Sequence, residues 1–578
     1  MNGTFEARLR RTAFTTRTSR SEGREITVSN TIAIIETKFH YDTLDRLYYP
    51  SFIGIERQVG GSKGYVIFEV ISVNPTHYQM LGMDVSMPTL LRKEYLDTIN
   101  ESWGKSQETW IDLGAIPTWY ITKFEGGDVK FEHTRFVPLA GARVYLLSKK
   151  AVQRFLSYED GESAGNMIGF DLPLRIRMES LIRFHAGVFG FTGAGKSNLT
   201  SSLLRKAMTA DKELAVVVFD VAGEYALHLV DLLAAGGRVF TNETIEDGEQ
   251  FYTSQIVPES LEMQVGSSKV KAALERVYSS GLVQRLSLQE SGGLDLAWIQ
   301  QLLERTVADA KAGATAAKIG VERLSASFYN KRGLQPSTRI VDLEDLAKEE
   351  LISLLREIHD KSHEKSGLRS ELEQVLAQFQ TPTDSEEEAG PTPEKIAYQL
   401  ATQKSPGLTI LYLPEPMAAR MTAARLIDRL LYLRKKIGNK GRILVVLDEA
   451  QEYIPDNPTD KTFTMSSNYA VEKLLRQGRK YRVHCWLATQ RVAHLNVSAL
   501  QQLHSYFVST LPRMYDRMVV ADSFALPYEV LERSAQLETG EWIFVSYKAT
   551  RQKNVPVFLA TENNETIVAE YLRSRRNE

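Results

Sequence analysis

One cysteine, Cys485, stands in a chain of 578 residues. A lone thiol makes no intrachain disulfide and excludes any zinc or iron–sulfur centre built from several cysteines. It suits a reducing, cytoplasmic setting. Long hydrophobic runs are missing as well. The strongest, residues 214–219 and 443–447, fall far short of the ~20 residues that cross a bilayer, so no membrane partner is expected. The basic amino-terminal stretch MNGTFEARLRRTAFTTRTSR has no apolar segment behind its charges and is not expected to act as a secretory signal. Nor is there an excess of either charge: 70 Lys and Arg against 72 Asp and Glu leave a formal net charge of −2. No global field draws the chain to nucleic acid, and any such binding needs a local patch or ring. No repeat of fixed period is present.

What is present is an ordinary globular composition, 43% hydrophobic and 25% charged, long enough for about two to four domains. Residues 1–25 are polar and Arg-rich and are expected to be a flexible N-terminus. Residues 26–165 read as short Val-, Ile-, Tyr- and Phe-rich strands punctuated by Gly, Pro, Asn and Asp, which predicts a small β-barrel or sandwich. Segment 86–103 reads as helix or loop within it. From 166 to 578 apolar runs at 185–189, 214–219, 408–413, 442–447, 483–488, 506–509 and 542–547 alternate with helical patterns. That alternation predicts an α/β domain with a parallel sheet. A helical insertion is expected over about 258–400, including a helix at 342–358 capped by Asp342 and a disordered loop at 381–393.

The most informative residues are Gly190-Phe-Thr-Gly-Ala-Gly-Lys196-Ser197, which fit G-x-x-x-x-G-K-[ST] between an apolar strand and a helical segment. Glycines let consecutive backbone N–H groups turn toward phosphate oxygens, and the following helix adds its positive end. Gly190, Thr192, Gly193, Ala194, Gly195, Lys196, Ser197 and Asn198 are the expected nucleotide cradle. Lys196 reaches the β and γ phosphates, and the Ser197 hydroxyl ligates Mg²⁺. ATP and Mg²⁺ are therefore the expected cofactors.

Downstream, ILVVL leads into Asp448 and Glu449. Carboxylates at the C-terminal edge of a parallel strand face the ligand crevice. Asp448 is placed to hold the metal shell, and Glu449 to activate water as general base. A third strand ends in Thr489 and Gln490, where Gln490 can orient water beside the γ-phosphate. Asp220 and Glu224 follow another buried strand. They line the same crevice, or Asp220 only caps a turn. His359 and His363 are four apart in HDKSH. The charged flanks favour a solvated helix face over a metal site. The basic segments 329–333 and 361–369 are either pore-lining or solvated loops, and Cys485 reads as core packing.

Four segments, HAGVFGFTGAGKS, VVVFDVAGEYA, ILVVLDEAQEYIP and LRQGRKYRVHCWLATQR, together resemble the HerA family of DNA-pumping ATPases, relatives of FtsK. The likeness covers most of 165–555, and the amino-terminal strands are similar to the family's small barrel. The resemblance implies a RecA-like P-loop NTPase fold and a homohexamer with ATP at subunit interfaces. It also implies an arginine reaching the neighbour's γ-phosphate, with Arg479 the first candidate and Arg476 the second. Relatives often carry an Arg-His pair before the phosphate loop. Here Phe184 precedes His185 and the arginine is Arg183, which leaves a second interface arginine unassigned. Two functions remain open. One is a motor translocating double-stranded DNA beside a separate nuclease. The other is an ATP-controlled ring scaffold that assembles an effector, a nuclease or a sirtuin-like NAD-consuming enzyme, in anti-phage defence.

Overall fold

Thr, Ala and Arg alternate along Ala7–Ser21, and the segment pairs antiparallel with Arg24–Lys38 over its whole length in the computed structural model. The structure describes residues 5–21, 24–83, 87–125, 128–288, 296–308, 313–334, 338, 340, 343–363, 366–378, 390–403, 407–438, 441–456 and 463–574. The expectation of a flexible segment over 1–25 is therefore corrected for residues 7–21. Cross-strand threonine pairs suit a ladder. The ribbon is also pinned at its side, where the Thr15 hydroxyl and the Asn30 amide donate to the two carboxylate oxygens of Glu529 at 2.7 and 2.8 Å.

Contacts divide the chain into two units. The first comprises Met1–Leu181, Phe189–Gly195 and His504–Glu562, and the second Ile182–Val188, Lys196–Leu503 and Asn563–Glu578. A boundary between 165 and 166 does not follow these contacts, because residues 504–562 group with the amino-terminal part.

In the first unit, strands Ala7–Ser21, Arg24–Lys38, Ser51–Val59, Ser62–His77, Thr109–Glu125 and Arg143–Leu146 form a closed barrel. Pairing of Arg24–Lys38 with Thr109–Glu125 makes the closure, and Asp128–His133 adds a hairpin arm. Alternate residues point inward: Ala33 and Ile35, Ile53 and Ile55, Val66, Phe68 and Val70, Ile111, Leu113 and Ala115. This is the period-two burial that a barrel wall requires. Helix Thr89–Ser102 buries only Ile99. The unit also holds an antiparallel run of Ser505–Val508, Glu541–Ser546, Val557–Ala560, Glu162–Met167 and Leu172–Ile176.

In the second unit seven strands lie in the order Val283–Arg285, Arg238–Thr241, Leu408–Tyr412, Ala215–Asp220, Ile443–Leu447, Val483–Thr489, Ala186–Phe189. The pairings from Val283–Arg285 to Val483–Thr489 are parallel. Residues of the central strands are buried on both faces, which explains their continuous apolar sequence. All seven expected apolar runs are strands, within two residues at either end.

Two strands of the second unit escaped the sequence reading. Arg238–Thr241 and Val283–Arg285 are short, and Val283–Arg285 carries Gln and Arg at exposed positions. The latter falls inside the expected insertion and pairs with Arg238–Thr241, so the helical excursion from the sheet begins after residue 285. Helices Leu296–Ala308, Ala314–Leu324, Asp345–Lys361 and Gly367–Gln378 share their own core, centred on Leu303, Phe328, Leu351, Leu355 and Leu372. Asp342 lies outside the described residues, as do 381–389. Glu344 occupies the cap position without a side-chain bond. Pro393 opens a further helix, Pro393–Ala401, capped by Thr392.

Candidate nucleotide site

Ala186–Phe189 runs into the phosphate loop, and Lys196 opens helix Lys196–Ala210. Gly193 and Gly195 have φ of 82° and 92°, a region that side chains other than glycine rarely adopt. The loop is braced within the first unit. Thr510 O accepts the Phe191 N–H, Gly193 O accepts the Thr539 hydroxyl at 3.1 Å, and Ala194 O accepts the Gly540 N–H at 3.2 Å. A Cβ on Gly190 would stand 3.1 Å from Ala194 Cβ and 3.2 Å from Ser509 Cβ, so the turn is packed at its base.

Carboxylates from two neighbouring strand ends surround Lys196 and Ser197. The Ser197 hydroxyl donates to Glu224. Asp448 is 3% exposed, and its Oδ1 has no hydrogen-bond partner. Burial pushes its pKa well above the carboxylate range, repulsion from Asp220, Glu224 and Glu449 adds to this, and Lys196 opposes it. Asp220 accepts the N–H groups of Gly223, Glu224 and Tyr225 at 2.7, 3.2 and 2.9 Å. Burial raises its pKa to about 6 against those bonds. Asp220 thus caps the turn that delivers Glu224, which settles the two readings of FDVAGEY: Asp220 builds the turn and Glu224 faces Ser197.

The residues fit Mg²⁺. A buried, unpartnered carboxylate oxygen beside a serine hydroxyl, in a cluster whose acids repel one another, is a site that a divalent cation would relieve. Mg²⁺ takes one or two carboxylates and completes its shell from phosphates and water.

Glu449 sits at φ 46°, ψ 54°, an uncommon conformation for a residue with a side chain that is often met at active sites. Its two oxygens accept from Gln490 Nε2 at 3.1 Å and Gln451 Nε2 at 2.9 Å. Gln490 therefore lies against the expected base. The Gln451 contact escaped the sequence reading, although DEAQ placed an amide two residues from Glu449.

Arg479 is exposed on the turn Gly478–Tyr481 that follows helix Thr464–Gln477. Its guanidinium lies over the Phe184 ring at 5.3 Å, and Arg183 lies over the same ring at 5.6 Å. Arg476 is paired with Glu472 at 3.9 Å. His185, buried just before strand Ala186–Phe189, accepts the Cys485 N–H on Nδ1 at 3.0 Å, and Cys485 is buried. The Asn198 side chain is engaged elsewhere in the same unit. Its side chain donates to Asn563 at 3.0 Å and accepts the Asn564 N–H at 2.7 Å, so it holds the start of helix Asn564–Ser574. His359 is bonded to Asp360 and Glu373, each at 2.9 Å. Arg332 pairs with Glu350, Lys361 with Glu357 and Arg369 with Glu373, so acids offset the basic segments of the insertion.

Residues 163–443 match the family model for the central domain of helicase HerA. Over those residues, just under half of the chain, it is similar to the HerA family. It is 20% identical over 412 residues to the DNA double-strand break repair helicase HerA of Saccharolobus solfataricus, covering 71% of this chain and 70% of that one. To the probable helicase MJECL08 of Methanocaldococcus jannaschii it is 22% identical over 412 residues, covering 70% and 71%. Among solved structures, VirB4 of Thermoanaerobacter pseudethanolicus aligns at 14% identity and a TM-score of 0.42, over 70% of this chain and 97% of that one. The match supports a P-loop ATPase at a general level. The HerA model ends at 443, the first residue of strand Ile443–Leu447, so Asp448, Glu449 and Gln490 stand on their geometry. Among the described residues no helix is long and apolar enough to cross a membrane.

Proposed function

We propose that this chain is the ATP-driven subunit of a homohexameric motor that moves double-stranded DNA and works with a separate nuclease or defence effector. The observation that carries the reading is the convergence of Lys196, Ser197, Glu224 and Asp448 beside a base, Glu449, whose carboxylate is already oriented. Lys196 binds the β and γ phosphates of the substrate ATP. Ser197 and Asp448 would hold Mg²⁺, which neutralises charge developing on the transferred phosphoryl group. Glu449 takes the proton of the attacking water as its oxygen bonds to the γ-phosphorus. The bond to the ADP oxygen breaks, and ADP and phosphate leave. Arg479 reaches the neighbouring subunit's γ-phosphate; its exposure and its place on an aromatic ring suit a side chain that serves another subunit.

A second reading, the ATP-controlled scaffold for a nuclease or NAD-consuming effector, is favoured by a specific feature of the barrel. Tyr78, Leu81, Leu90, Leu91, Tyr95 and Leu96 are all 40–71% exposed on turn Tyr78–Gly82 and helix Thr89–Ser102. Uncovered apolar side chains in that number suit a protein partner. Turnover of the purified chain separates the two. Several-fold stimulation by duplex DNA that disappears at high salt supports the motor. Turnover indifferent to DNA at low salt rejects it and leaves the scaffold.

A further inference from the structure

Glu449 does not sit alone at its strand end. Strands Ile443–Leu447 and Val483–Thr489 are parallel neighbours, with Leu447 opposite Leu487, so the residues that follow them meet. The Thr489 hydroxyl, on a fully buried residue, donates to Gln451 Oε1 at 2.5 Å, and Gln451 Nε2 donates to Glu449 Oε2 at 2.9 Å. The direction of this chain is set at Glu449, whose carboxylate only accepts, so Gln451 turns its NH₂ to Glu449 and its oxygen to the Thr489 hydroxyl. Thr489 Oγ1 also accepts the Arg491 N–H at 2.9 Å. An amide that accepts from Thr489 through its oxygen can offer Glu449 only its NH₂. The turn carrying Gln451 is itself held. Buried Arg420 donates to the Glu452 carbonyl at 2.8 Å and pairs with its carboxylate at 3.1 Å.

We propose that Gln451, locked by Thr489, is a positioning residue that sets the orientation of the Glu449 carboxylate. The inference rests on Glu449 being the general base. With Gln490 on the other oxygen, both carboxylate oxygens receive N–H donors. Two donors, one on each oxygen, fix the plane of the carboxylate. A base aimed at one place acts on the water presented by the γ-phosphate rather than on bulk solvent. Gln451 touches neither water nor phosphate in this scheme and acts only through Glu449.

The test uses the full chain and steady-state ATP turnover, with binding of a non-hydrolysable ATP analogue as the control for an intact cradle. Gln451→Ala and Thr489→Val are each expected to lower kcat about tenfold with KM little changed. The double variant should fall no further than either single one, because the two side chains form a single relay. Thr489→Ser, which keeps the hydroxyl, should restore the rate. A wild-type kcat in Gln451→Ala, or a double variant whose loss is the product of the two single losses, would overturn the proposal while leaving Glu449 as base. Wild-type turnover in Glu449→Gln would overturn the base assignment, and this proposal with it.

Discussion

Glu69, on strand Ser62–His77, is 1% exposed, its Oε2 has no hydrogen-bond partner, and burial raises its pKa from 4.5 to about 8 against the opposing charge of Arg533. Between those two values the unfolded chain has released the proton that the folded chain retains. Stability is therefore lost as pH rises through this window and is fully present below it. From the two pKa values, this carboxyl costs about 1 kcal/mol at pH 5 and about 4 kcal/mol at pH 7.5. Glu69→Gln keeps the shape and removes the titration. Its stability relative to the wild type should therefore rise by about 3 kcal/mol from pH 5 to pH 7.5. A chain of two units is a poor subject for a single global transition. The measurement is native-state amide exchange in strands Ser62–His77 and Thr109–Glu125, read as local opening free energies at each pH. A difference between variant and wild type that stays flat from pH 5 to 8 would refute the neutral buried carboxyl and assign Glu69 as an ion paired with Arg533.

Lys196→Ala should cut turnover ~10²–10³-fold by removing the charge on the β and γ phosphates, and full activity would exclude this loop as the site. Glu449→Gln should retain bound ATP, seen by filter retention of labelled nucleotide, while hydrolysis falls ~10²–10⁴-fold. Arg479→Ala should bind ATP normally and lose ~10³-fold in rate. Mixing it with Glu449→Gln should restore part of the activity, since a wild-type Arg479 then meets an intact Glu449 across one interface. Absence of rescue would place Arg479 outside a shared site. Asp448→Asn should raise the Mg²⁺ concentration needed for half-maximal turnover by ~10–100-fold, and an unchanged Mg²⁺ titration would remove Asp448 from the metal shell.

The strands of the parallel sheet were legible because burial on both faces leaves no polar position to blur them: VVVF and ILVVL are apolar throughout. The phosphate loop was legible because only glycine satisfies the backbone at Gly193 and Gly195. Asp448 and Glu449 were legible as carboxylates at a strand end. Their different roles come from the turn after it, which leaves Asp448 buried and unpartnered and puts Glu449 in a left-handed conformation between two amides. That difference is tertiary. So is the link from Thr489 to Gln451, 38 residues apart, for which DEAQ and ATQ hold the residues but not the direction of the bond. The ribbon at Ala7–Ser21 was hidden for the opposite reason. Its alternation is of Thr and Arg rather than of apolar and polar residues, and much of its support is Glu529, more than 500 residues away. Asn198 follows the phosphate motif in sequence, but the helix turns its side chain toward Asn563 and Asn564.

The neutral carboxyl at Glu69 and the phosphate loop are joined by a short stretch of chain inside the first unit. Arg533 donates to the Val70 and Tyr48 carbonyls at 3.3 Å each and lies over the Phe558 ring, fastening one end of the stretch to the barrel. Six and seven residues on, Thr539 and Gly540 bond the carbonyls of Gly193 and Ala194. Between them Leu537 accepts the Thr510 hydroxyl at 3.0 Å, and Thr510 also holds Phe191. Contact of this kind becomes coupling only if the stretch has two arrangements that nucleotide and barrel occupancy favour differently. Its anchors are hydrogen bonds to backbone carbonyls rather than interlocked core side chains, and each such bond has a net worth of about 1 kcal/mol. A change at the barrel that releases Arg533 would free one end of the stretch whose other end bonds the carbonyls of the phosphate loop.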